Sequence, residues 1–441
     1  MTAKDTIFAL SSGAGRSAVS VIRVSGPACG SLLCGLIGRI PKPRELALRV
    51  VRHPRTGEQL DKALAVWLPA PGSFTGEDCA ELHLHGSMAV VSAVMAAMSD
   101  HPSVRPAEAG EFTQRAFLNG KMDLVEAEGL ADLLEARTAA QRRQALRQMS
   151  GTPSFTFDDW RQQLLLIRAD IEAVVDFSDE PGVAEEAAAG IDARIQDLLT
   201  HMTTAVERAA VGEAVRGGVN VVLAGLPNTG KSSLLNALAR RDAAIVSDIP
   251  GTTRDTIEVS LDIMGIPVIL TDTAGLRESV SDQVEREGVR RSELRIRNAD
   301  ILVWVWSSDV AGSATPAGEP SLFVQNKCDL ESGLLRNENP HTVSLSTRSG
   351  DGIQEFIEQL STLLQLRFGD VESSLLVSAR QITAVRNSIR LLNEALAVSP
   401  GGLELKAEEI RLASEEIGRL TGKVGVEEWL GAIFSRFCIG K

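Results

Sequence analysis

Residues 225–233, GLPNTGKSS, have the types and the spacing of a phosphate-binding loop. The segment fits GxxxxGK[ST] and lies between an apolar β-like run, VNVVLAG, and a helical pattern, which is the context that this motif requires. Backbone N–H groups of such a loop and the positive end of the following helix face phosphate oxygens. We expect Lys231 to reach the β- and γ-phosphates and the Ser232 hydroxyl to bind Mg²⁺. The alternative, a chance glycine-rich turn, is disfavoured by the flanking strand and helix.

The segment NKCD at 326–329 indicates which nucleotide binds. It follows an apolar strand, and the Asp329 carboxylate can accept two hydrogen bonds from the N1–H and amino groups of guanine, a donor pair that adenine lacks. SLST at 344–347 would supply the backbone loop on the other edge of the base. The two segments together favour a guanine nucleotide.

Two further segments complete the predicted GTPase site. DTAG ends the strand PVILT, which places Asp272 behind Mg²⁺ and the Gly275 N–H at the γ-phosphate, and PGTTRD offers the Thr253 hydroxyl to the same ion. This order of motifs predicts a GTP-hydrolysing enzyme. Its predicted GTP-binding residues are Asn228, Thr229, Gly230, Lys231, Ser232, Ser233, Ser247, Asp248, Ile249, Pro250, Gly251, Thr252, Thr253, Asp272, Thr273, Ala274, Gly275, Asn326, Lys327, Asp329 and Ser346.

The group that activates water is not the usual one. Many GTPases have a Gln directly after DTAG, but Leu276 stands there and cannot hydrogen-bond water. The acids Asp282, Glu285 and Glu287 follow in SVSDQVEREG. No arginine finger is evident in the sequence, and a cation held by Asn228 and switch I carbonyls would fill that electrostatic role.

Composition limits the class of protein. The chain has 441 residues, 44% hydrophobic and 23% charged, which suits a globular protein of two to four domains. No apolar run approaches the roughly 18 residues that span a bilayer, and MTAKDTIFAL lacks the basic start of a secretory signal. Five cysteines without CxxC spacing fit a reducing cytoplasm. The net charge of −13 argues against indiscriminate nucleic-acid binding, but not against a local basic patch.

The pattern of apolar and polar residues changes along the chain. Residues 1–119 mix β-like runs with Gly- and Pro-rich loops, residues 120–215 have helical periodicity, and residues 216–369 alternate strands and helices. Helical periodicity returns over 370–441. The simplest interpretation is one helical domain, formed by both helical stretches, with the α/β unit inserted between them.

Cys79, Glu81, His83 and His85 alternate, so that on a strand they would share one face. Cys and His are zinc ligands, but no second ligand cluster accompanies them. A zinc site therefore stays the less favoured interpretation.

A basic helical stretch, RTAAQRRQALRQ, contains Arg137, Arg142, Arg143 and Arg147. These arginines could contact the phosphates of a nucleic acid, or they could form an ordinary solvated helix face. The sequence leaves both interpretations open.

The chain ends in RFCIGK. An isolated cysteine such as Cys438 is more often buried filling, but Arg436 and Lys441 lie nearby in sequence, and cations favour a thiolate. We expect Cys438 to serve as a nucleophile or as a positioning group in chemistry other than GTP hydrolysis. The sequence does not decide between these two roles.

The whole chain resembles the MnmE (TrmE) family of bacterial tRNA-modification GTPases. The segments that carry the resemblance are SFTGEDCAELHLHG, PAEAGEFTQRAFLNGKMDL, GLPNTGKSSLLNAL, DIPGTTRD, DTAGLRE and the terminal FCIGK. GTPases of the ribosome-assembly type share the phosphate motifs but lack the N-terminal segment and this tail. The chain departs from the family in a short Gly/Ala/Pro-rich interval between Trp306 and Phe323, which is expected to trim one helix.

The resemblance implies a multidomain fold. It implies an α+β N-terminal tetrahydrofolate-binding and dimer-forming domain (1–119), an all-α helical domain (120–215 and 370–441), and an inserted α/β P-loop, Ras-like G domain (216–369). It also implies a cytoplasmic homodimer with K⁺-stimulated, Mg²⁺-dependent GTP hydrolysis. An MnmG-type partner that carries FAD would join it in a heterotetramer or a larger assembly, with tRNA as the substrate and no membrane.

Site residues are carried over from the family by matching motifs. Asn228 would bind K⁺, with backbone groups near Ser247, Ile249 and Thr252, while Ser232 and Thr253 would hold Mg²⁺. The water-positioning glutamate matches Glu285, which follows Val284, although this segment has one residue more than the family pattern. The folate-binding residues would be Arg23, Glu81, Lys121 and Lys441, because a carboxylate suits a pterin edge and cations suit the glutamyl tail.

The predicted function is GTP-dependent modification of C5 of the wobble uridine, position 34, in certain tRNAs, which adds a carboxymethylaminomethyl-type group. The one-carbon donor would be 5,10-methylene- or 5-formyl-tetrahydrofolate. A GTP-dependent switch in ribosome assembly is the alternative, disfavoured because no RNA-binding domain follows the G domain. A folate enzyme with an inactive G domain is a weaker third possibility, since every phosphate-site motif is intact.

Overall fold

The structure is a computed structural model that describes residues 5–13, 15–176, 183–241, 258–272, 294–310, 319–330, 342–369, 374–399, 402–425 and 427–441. They form two compact units. The first contains residues 1–131, 148–166 and 414–441, and the second contains residues 132–147 and 167–413. Within the described ranges, no helix combines the length and the apolar character needed to cross a bilayer.

The first unit is built on a mixed six-stranded sheet. Its strands are β1 (Thr6–Leu10), β2 (Val19–Ser25), β3 (Ala47–Arg52), β4 (Gln59–Leu68), β5 (Cys79–His85) and β6 (Val104–Pro106), in the spatial order β3-β4-β5-β2-β1-β6. All pairs are antiparallel except β1 with β6. The β-branched run VSVIRVS alternates between faces, so that β2 buries Ile22 and Val24 on one side and presents Arg23 on the other.

Two helices cover one face of this sheet. They are α1 (Cys29–Ile37) and α2 (Met88–Ser99), and their buried side chains form one core with Ile22, Leu82 and Leu84. Because side chains alternate along each strand, Arg23, Glu81 and His83 are left on the opposite face. The sheet therefore separates an apolar core from a polar surface that is available for chemistry.

The remaining elements of the described residues, apart from the second sheet, are mostly α-helices. In chain order these helices are α3 (Glu111–Leu118), α4 (Leu124–Glu135), α5 (Ala139–Met149), α6 (Thr152–Asp176), α7 (Val183–Glu207), α8 (Ala209–Gly217), α9 (Lys231–Ala239), α10 (Ile353–Phe368), α11 (Ala379–Ala397), α12 (Leu403–Thr421) and α13 (Glu427–Phe434). Helix α11 begins at Ser378, whose side chain accepts a hydrogen bond from the Gln381 N–H as an N-cap. It packs against α7 in the second unit.

The second unit contains a mostly parallel sheet. Its strands are β7 (Val219–Ala224), β8 (Glu258–Ile263), β9 (Ile266–Asp272), β10 (Ile301–Trp306), β11 (Leu322–Gln325) and β12 (Thr342–Ser344), in the order β12-β11-β10-β7-β9-β8. Only β8 runs antiparallel, on β9. Strands β7, β9 and β10 are near-continuous apolar runs with both faces largely buried, as in α/β proteins, whereas β8 alternates. The carboxyl ends of β7, β9 and β11 therefore meet at one edge, where such folds bind ligands.

The predicted fold class is confirmed: an α+β N-terminal part, helices, and an α/β unit with a phosphate loop. Between β10 and β11, where a trimmed helix was expected, residues 311–318 lie outside the described ranges. The domain boundaries given above remain predictions.

Candidate functional site

The phosphate-loop motif lies between β7 and α9, at the carboxyl edge of the second sheet. Its glycines are required by close approaches of the backbone. A Cβ at Gly225 would lie 2.0 Å from the carbonyl oxygen of Val305, and one at Gly230 would lie 2.1 Å from Nδ2 of Asn326. Asn228 has a φ of 66°, which asparagine tolerates better than most residues. The sequence GLPNTGK therefore follows from backbone geometry as well as from phosphate chemistry.

Lys231 is held inside this loop. Its side chain is buried, and Nζ donates hydrogen bonds to the carbonyl oxygens of Gly225 (3.0 Å) and Leu226 (2.8 Å). The Thr229 hydroxyl donates to the Leu226 carbonyl at 2.9 Å. The loop thus surrounds the ammonium group of Lys231. This group lies where the β- and γ-phosphate oxygens of a nucleotide would need a cation.

Ser232 and Asp272 meet beside the loop, as expected of a Mg²⁺ site. The Ser232 hydroxyl donates to Oδ2 of Asp272 at 2.5 Å, and Asp272 is 1% exposed at the end of β9. A hydroxyl and a buried carboxylate are hard oxygen donors of the kind that Mg²⁺ takes. The residues that are present therefore fit the predicted ion.

Asn326 ties the loop after β11 to the phosphate loop. The side chain is 1% exposed; Nδ2 donates to the Thr229 carbonyl at 3.0 Å, while Oδ1 accepts from the backbone N–H of Lys327 (2.8 Å) and of Thr347 (3.3 Å). One buried amide thus connects three segments that are distant in sequence. It therefore holds the two predicted nucleotide-binding loops together.

Lys327 adds a contact that the sequence did not reveal. Its Nζ donates to the Asn228 carbonyl at 2.8 Å and forms an ion pair with Asp309 at 2.7 Å. Hydrogen bonds from Lys327 and then from Ser307 lower the pKa of the Asp309 carboxyl. No motif marks Asp309, which lies in the loop after β10, so sequence reasoning had no signal with which to find it.

Asp329, the predicted guanine ligand, is exposed and oriented. Its Oδ1 accepts a hydrogen bond from the hydroxyl of Ser346 at 2.6 Å, and Ser346 is fully buried. That hydroxyl in turn accepts from the backbone N–H groups of Arg348 (3.3 Å) and Ser349 (3.2 Å). The carboxylate is therefore held in one orientation but remains accessible to a base.

Part of the predicted nucleotide site lies outside the described residues. The described members, Asn228 to Ser233, Asp272, Asn326, Lys327, Asp329 and Ser346, belong to the two connected loops and the end of β9. The predicted residues that lie outside are Ser247, Asp248, Ile249, Pro250, Gly251, Thr252, Thr253, Thr273, Ala274, Gly275 and Glu285.

A second candidate site lies in the first unit, on the polar face of its sheet. Arg23 of β2 and Glu81 of β5 are paired in register, and the guanidinium donates to Oε1 of Glu81 from Nε (3.1 Å) and Nη2 (3.0 Å). Nε2 of His83 is 3.2 Å from Oε2 of Glu81. Burial raises the pKa of the Glu81 carboxyl, but the charge of Arg23 and these hydrogen bonds outweigh it and hold the pKa below its usual value.

Two aromatic rings border Arg23. Its Cζ is 5.5 Å from the ring centroid of Phe74 and 5.9 Å from that of Phe112. Such rings favour a cation over their faces and leave apolar surface beside the ion pair. The alternation along β5 predicted His83 on the same face as Glu81, but no sequence pattern singled out Phe74 or Phe112 as neighbours of this pair.

The C-terminal tail is bound to this unit. Ile439 forms an antiparallel bridge with Ala109, and the Ser11 hydroxyl donates to the Gly440 carbonyl at 3.0 Å. Gly440 has a φ of 101°, and a Cβ there would lie 2.4 Å from the Leu10 carbonyl oxygen, so glycine is required. The tail is therefore held by backbone geometry.

This arrangement brings Lys441 to the ion pair. Burial and then the positive charge of Arg23 lower the pKa of the Lys441 side chain, against the opposing influence of Glu81 and Cys438. Cys438 is exposed, while its neighbour Phe437 is buried among Leu124, Ala127 and Phe434. The structure therefore brings Arg23, Glu81 and Lys441 together and leaves the thiol accessible.

Lys121 is placed differently from the other three predicted folate residues. It is exposed, its Nζ donates to the Pro71 carbonyl at 2.9 Å, and its methylene groups lie against Gly76. It thus reaches the β4–β5 loop that carries Phe74. Lys121 also lines an open groove of about 530 Å³, and Arg23, Glu81 and Lys441 do not line this groove. The other residues that line it are Phe117, Leu118, Gly120, Met122, Asp123, Glu126, Thr421 and Gly422.

The zinc alternative finds no support in the described part of the chain, where no group of three or more His, Cys, Asp or Glu is arranged to hold a metal ion. The Cys79 thiol is 3.1 Å from the Thr75 hydroxyl, and Nδ1 of His85 is 2.8 Å from Oδ1 of Asp61. Cys79 and His85 therefore contact residues outside the alternating set, whereas Glu81 and His83 contact each other.

Comparison with known proteins identifies the family of the chain. A family model described as "GTP-binding protein TrmE N-terminus" matches residues 6–121, and one described as "MnmE helical domain" matches residues 124–438. A "tRNA modification GTPase MnmE" of Methylobacterium sp. (strain 4-46) is 48% identical, covering 99% of this chain and 100% of that protein.

Two further relatives with the same name are 46% identical. The protein of Beijerinckia indica subsp. indica aligns over 99% of this chain and 96% of its own length, and that of Bradyrhizobium sp. (strain ORS 278) over 99% of both. The similarity thus extends from the N-terminal sheet through the phosphate loop to the tail. The chain belongs to the MnmE family of tRNA modification GTPases.

Proposed function

We propose that this GTP-hydrolysing tRNA modification enzyme adds a carboxymethylaminomethyl-type group to C5 of the wobble uridine, position 34, of certain tRNAs. It would act with an FAD-dependent, MnmG-type partner and use 5,10-methylene- or 5-formyl-tetrahydrofolate as the one-carbon donor. The observation that supports the proposal most is the tail bound in the first unit, with Lys441 at the Arg23–Glu81 pair and Cys438 exposed. A chain used only as a nucleotide switch would not need this second polar site.

The nucleotide half of the proposal assigns roles to residues of the second unit. Lys231 would turn from the loop carbonyls to the β- and γ-phosphates, and Asp329 would accept both N–H groups of the guanine edge. Ser232 would hold Mg²⁺ with Thr253, and Asp272 would lie behind it. When bound, that ion neutralises charge on the phosphate oxygens.

The remaining catalytic assignments extend beyond the described residues. Glu285 would orient the attacking water, and Asn228 would bind K⁺ with backbone groups near Ser247, Ile249 and Thr252. Two observations on Asn228 support this assignment. Its side chain is exposed at the phosphate loop, and its backbone is left-handed. Nζ of Lys327 stabilises this conformation by donating a hydrogen bond to the Asn228 carbonyl. A monovalent cation there supplies positive charge next to the phosphates.

The folate half depends on the chemistry of the donor set. A carboxylate whose pKa is held low stays ionised and can accept hydrogen bonds from the N–H edge of a pterin, and Glu81 is such a group. Lys441 and Lys121 would pair with glutamyl carboxylates, while Phe74 and Phe112 offer apolar surface beside Arg23. The residues present therefore fit a reduced folate, which supplies a one-carbon unit when bound.

Cys438 keeps two possible roles within this proposal, as a nucleophile or as a positioning group for the carbon chemistry. Its exposure beside the folate residues supports either role and disfavours simple packing. The proposal also includes a cytoplasmic homodimer and domains at 1–119, 120–215 with 370–441, and 216–369. The full-length family match weakens the ribosome-assembly alternative, because such GTPases lack the N-terminal part and the tail.

The proposal is tested in a strain that lacks the protein, complemented with wild type, Lys231→Ala or Cys438→Ser. Total tRNA is digested to nucleosides, and wobble-uridine derivatives are quantified by mass spectrometry. We expect wild type to restore a C5-modified uridine and neither variant to do so, while purified Cys438→Ser hydrolyses GTP at the wild-type rate. Identical nucleosides with and without the wild-type protein would refute the proposed function. Modification by Cys438→Ser would refute only the role of the thiol.

A further inference from the structure

Helix α5 has one face that packs and one that does not. On the packing face, Ala140 is buried in the core of the second unit, and two side-chain amides bind backbone of α8: Nε2 of Gln141 donates to the Arg216 carbonyl (3.2 Å) and Nε2 of Gln144 to that of Gly212 (3.0 Å). These contacts secure the helix. Side chains on its other face can be changed without disturbing them.

The opposite face of α5 is basic. Arg142, Arg143 and Arg147 are exposed there, together with Leu146, within an arc of about 140° at 100° per residue. Arg142 and Arg143 have no side-chain hydrogen bond or ion pair with any residue in the described ranges. The three guanidinium groups are spread over roughly 7.5 Å of helix axis.

The local charge is unusual for this chain. Its net charge is −13, yet residues 136–157 contain four arginines and neither Asp nor Glu. Other surface helices of the second unit pair their arginines with nearby acids: Arg390 with Glu394 on α11 and Arg411 with Glu408 on α12. An ordinary solvated helix surface would carry both signs of charge. Arg142 and Arg143 therefore lie on exposed helix surface with no acid of the described residues paired to them.

We infer that this basic face of α5 binds the sugar–phosphate backbone of the tRNA substrate. The inference rests on the proposed function, which makes tRNA the substrate. Guanidinium groups bind phosphate oxygens in a bidentate, sequence-independent manner, as an enzyme that acts on several tRNAs requires. The acidity of the rest of the protein would confine the RNA to this local patch, since like charges repel elsewhere.

The test compares two full-length variants of equal charge. Arg142→Gln/Arg143→Gln/Arg147→Gln removes the basic face, and Arg386→Gln/Arg390→Gln/Arg411→Gln removes three surface arginines from α11 and α12. Binding of an unmodified tRNA transcript with U34 is measured by fluorescence anisotropy between 50 and 200 mM salt. GTP hydrolysis and the thermal unfolding midpoint of each variant report whether the fold is intact.

We expect the α5 variant to bind tRNA at least tenfold more weakly at low salt, and its slope of log Kd against log salt to fall by about 2 to 3. The control variant keeps the wild-type slope, and both variants hydrolyse GTP normally. Equal slopes for the α5 variant and wild type would overturn the inference and leave the proposed function intact. The inference would also be overturned if the α5 variant bound tRNA as wild type does but no longer bound the FAD-dependent partner. That result would make the face a protein interface. A wild-type protein that hydrolyses GTP but binds no tRNA would overturn both.

Discussion

Asp329→Asn tests the origin of guanine specificity. In the structure the carboxylate is exposed and is oriented by the buried Ser346 hydroxyl at 2.6 Å, so that it can offer its oxygens to a base as acceptors. Asparagine keeps the shape but replaces one acceptor by a donor. Guanine presents two N–H donors. One of them would keep an acceptor, and the other would face the N–H group of the asparagine and lose its hydrogen bond.

The magnitude follows from the charge of the acceptor. Hydrogen bonds to charged groups contribute about 1.5 to 3 kcal/mol each. Because Asp329 is exposed and must give up water to bind the base, we take the lower end for each of two bonds, about 3 kcal/mol in all. This corresponds to a loss of GTP affinity of roughly 10²-fold. Xanthine carries a carbonyl where guanine has its amino group, so the variant should bind xanthosine triphosphate better than GTP.

The assay measures how well GTP and xanthosine triphosphate each displace a bound fluorescent nucleotide. The fluorescent nucleotide carries guanine for wild type and xanthine for the variant. Asp351→Asn is the matched control, since Asp351 is an exposed acid of the neighbouring loop whose carboxylate binds the Ser349 hydroxyl. The control should keep wild-type preference. GTP affinity of Asp329→Asn within threefold of wild type, without a gain for xanthosine triphosphate, would refute this account of base recognition.

Three further predictions concern single residues. Gly230→Ala should weaken GTP binding at least tenfold in a titration and lower the unfolding midpoint, because the new Cβ would lie 2.1 Å from Nδ2 of Asn326 at a φ of 89°; unchanged affinity would contradict the strained loop. The folded-state pKa of Glu81 is lowered, so its contribution to stability is present above the unfolded pKa and is lost as pH falls through the folded one. The difference in Tm between wild type and Glu81→Gln should therefore be largest above about pH 5 and shrink towards pH 3; a difference that grows on acidification would show the opposite sign of shift. Lys441→Gln should weaken binding of 5-formyl-tetrahydrofolate about tenfold by calorimetry, through loss of one charge-assisted hydrogen bond, and leave GDP binding unchanged; loss of both would indicate unfolding and would count against a local role.

The nucleotide loops could be predicted from the sequence because their motifs state backbone requirements. GLPNTGKSS needs glycine where a Cβ at Gly230 would meet Asn326, and NKCD needs a buried amide that links two loops. Strand, loop and helix follow each other directly, so local pattern alone places these residues. The pairing of Arg23 with Glu81 was not predicted, although the resemblance assigned both residues to one ligand.

Other features depend on tertiary partners and could not be predicted. Arg115 is 4% exposed and bonds to carboxylates of Asp5, Glu77 and Glu111, but no local pattern shows that a charged helix residue will be buried among acids. Such a group is stable in the interior only when all its partners are present. Likewise, helical periodicity predicts that α5 is a helix, but not that Ala140 packs in the core of the second sheet.

We propose that one chain carries two chemically separate sites. The measurement that tests this most directly is calorimetric titration with 5-formyl-tetrahydrofolate and, separately, with GDP. It compares wild type with Glu81→Gln and Lys231→Ala. The control is Glu58→Gln, because Glu58 is an exposed acid of the first unit. We predict that Glu81→Gln loses at least tenfold in folate affinity and none in GDP affinity, that Lys231→Ala shows the reverse, and that the control binds both as wild type does. Wild-type protein that binds GDP but no folate, or a Glu81→Gln variant with undiminished folate affinity, would contradict the central claim.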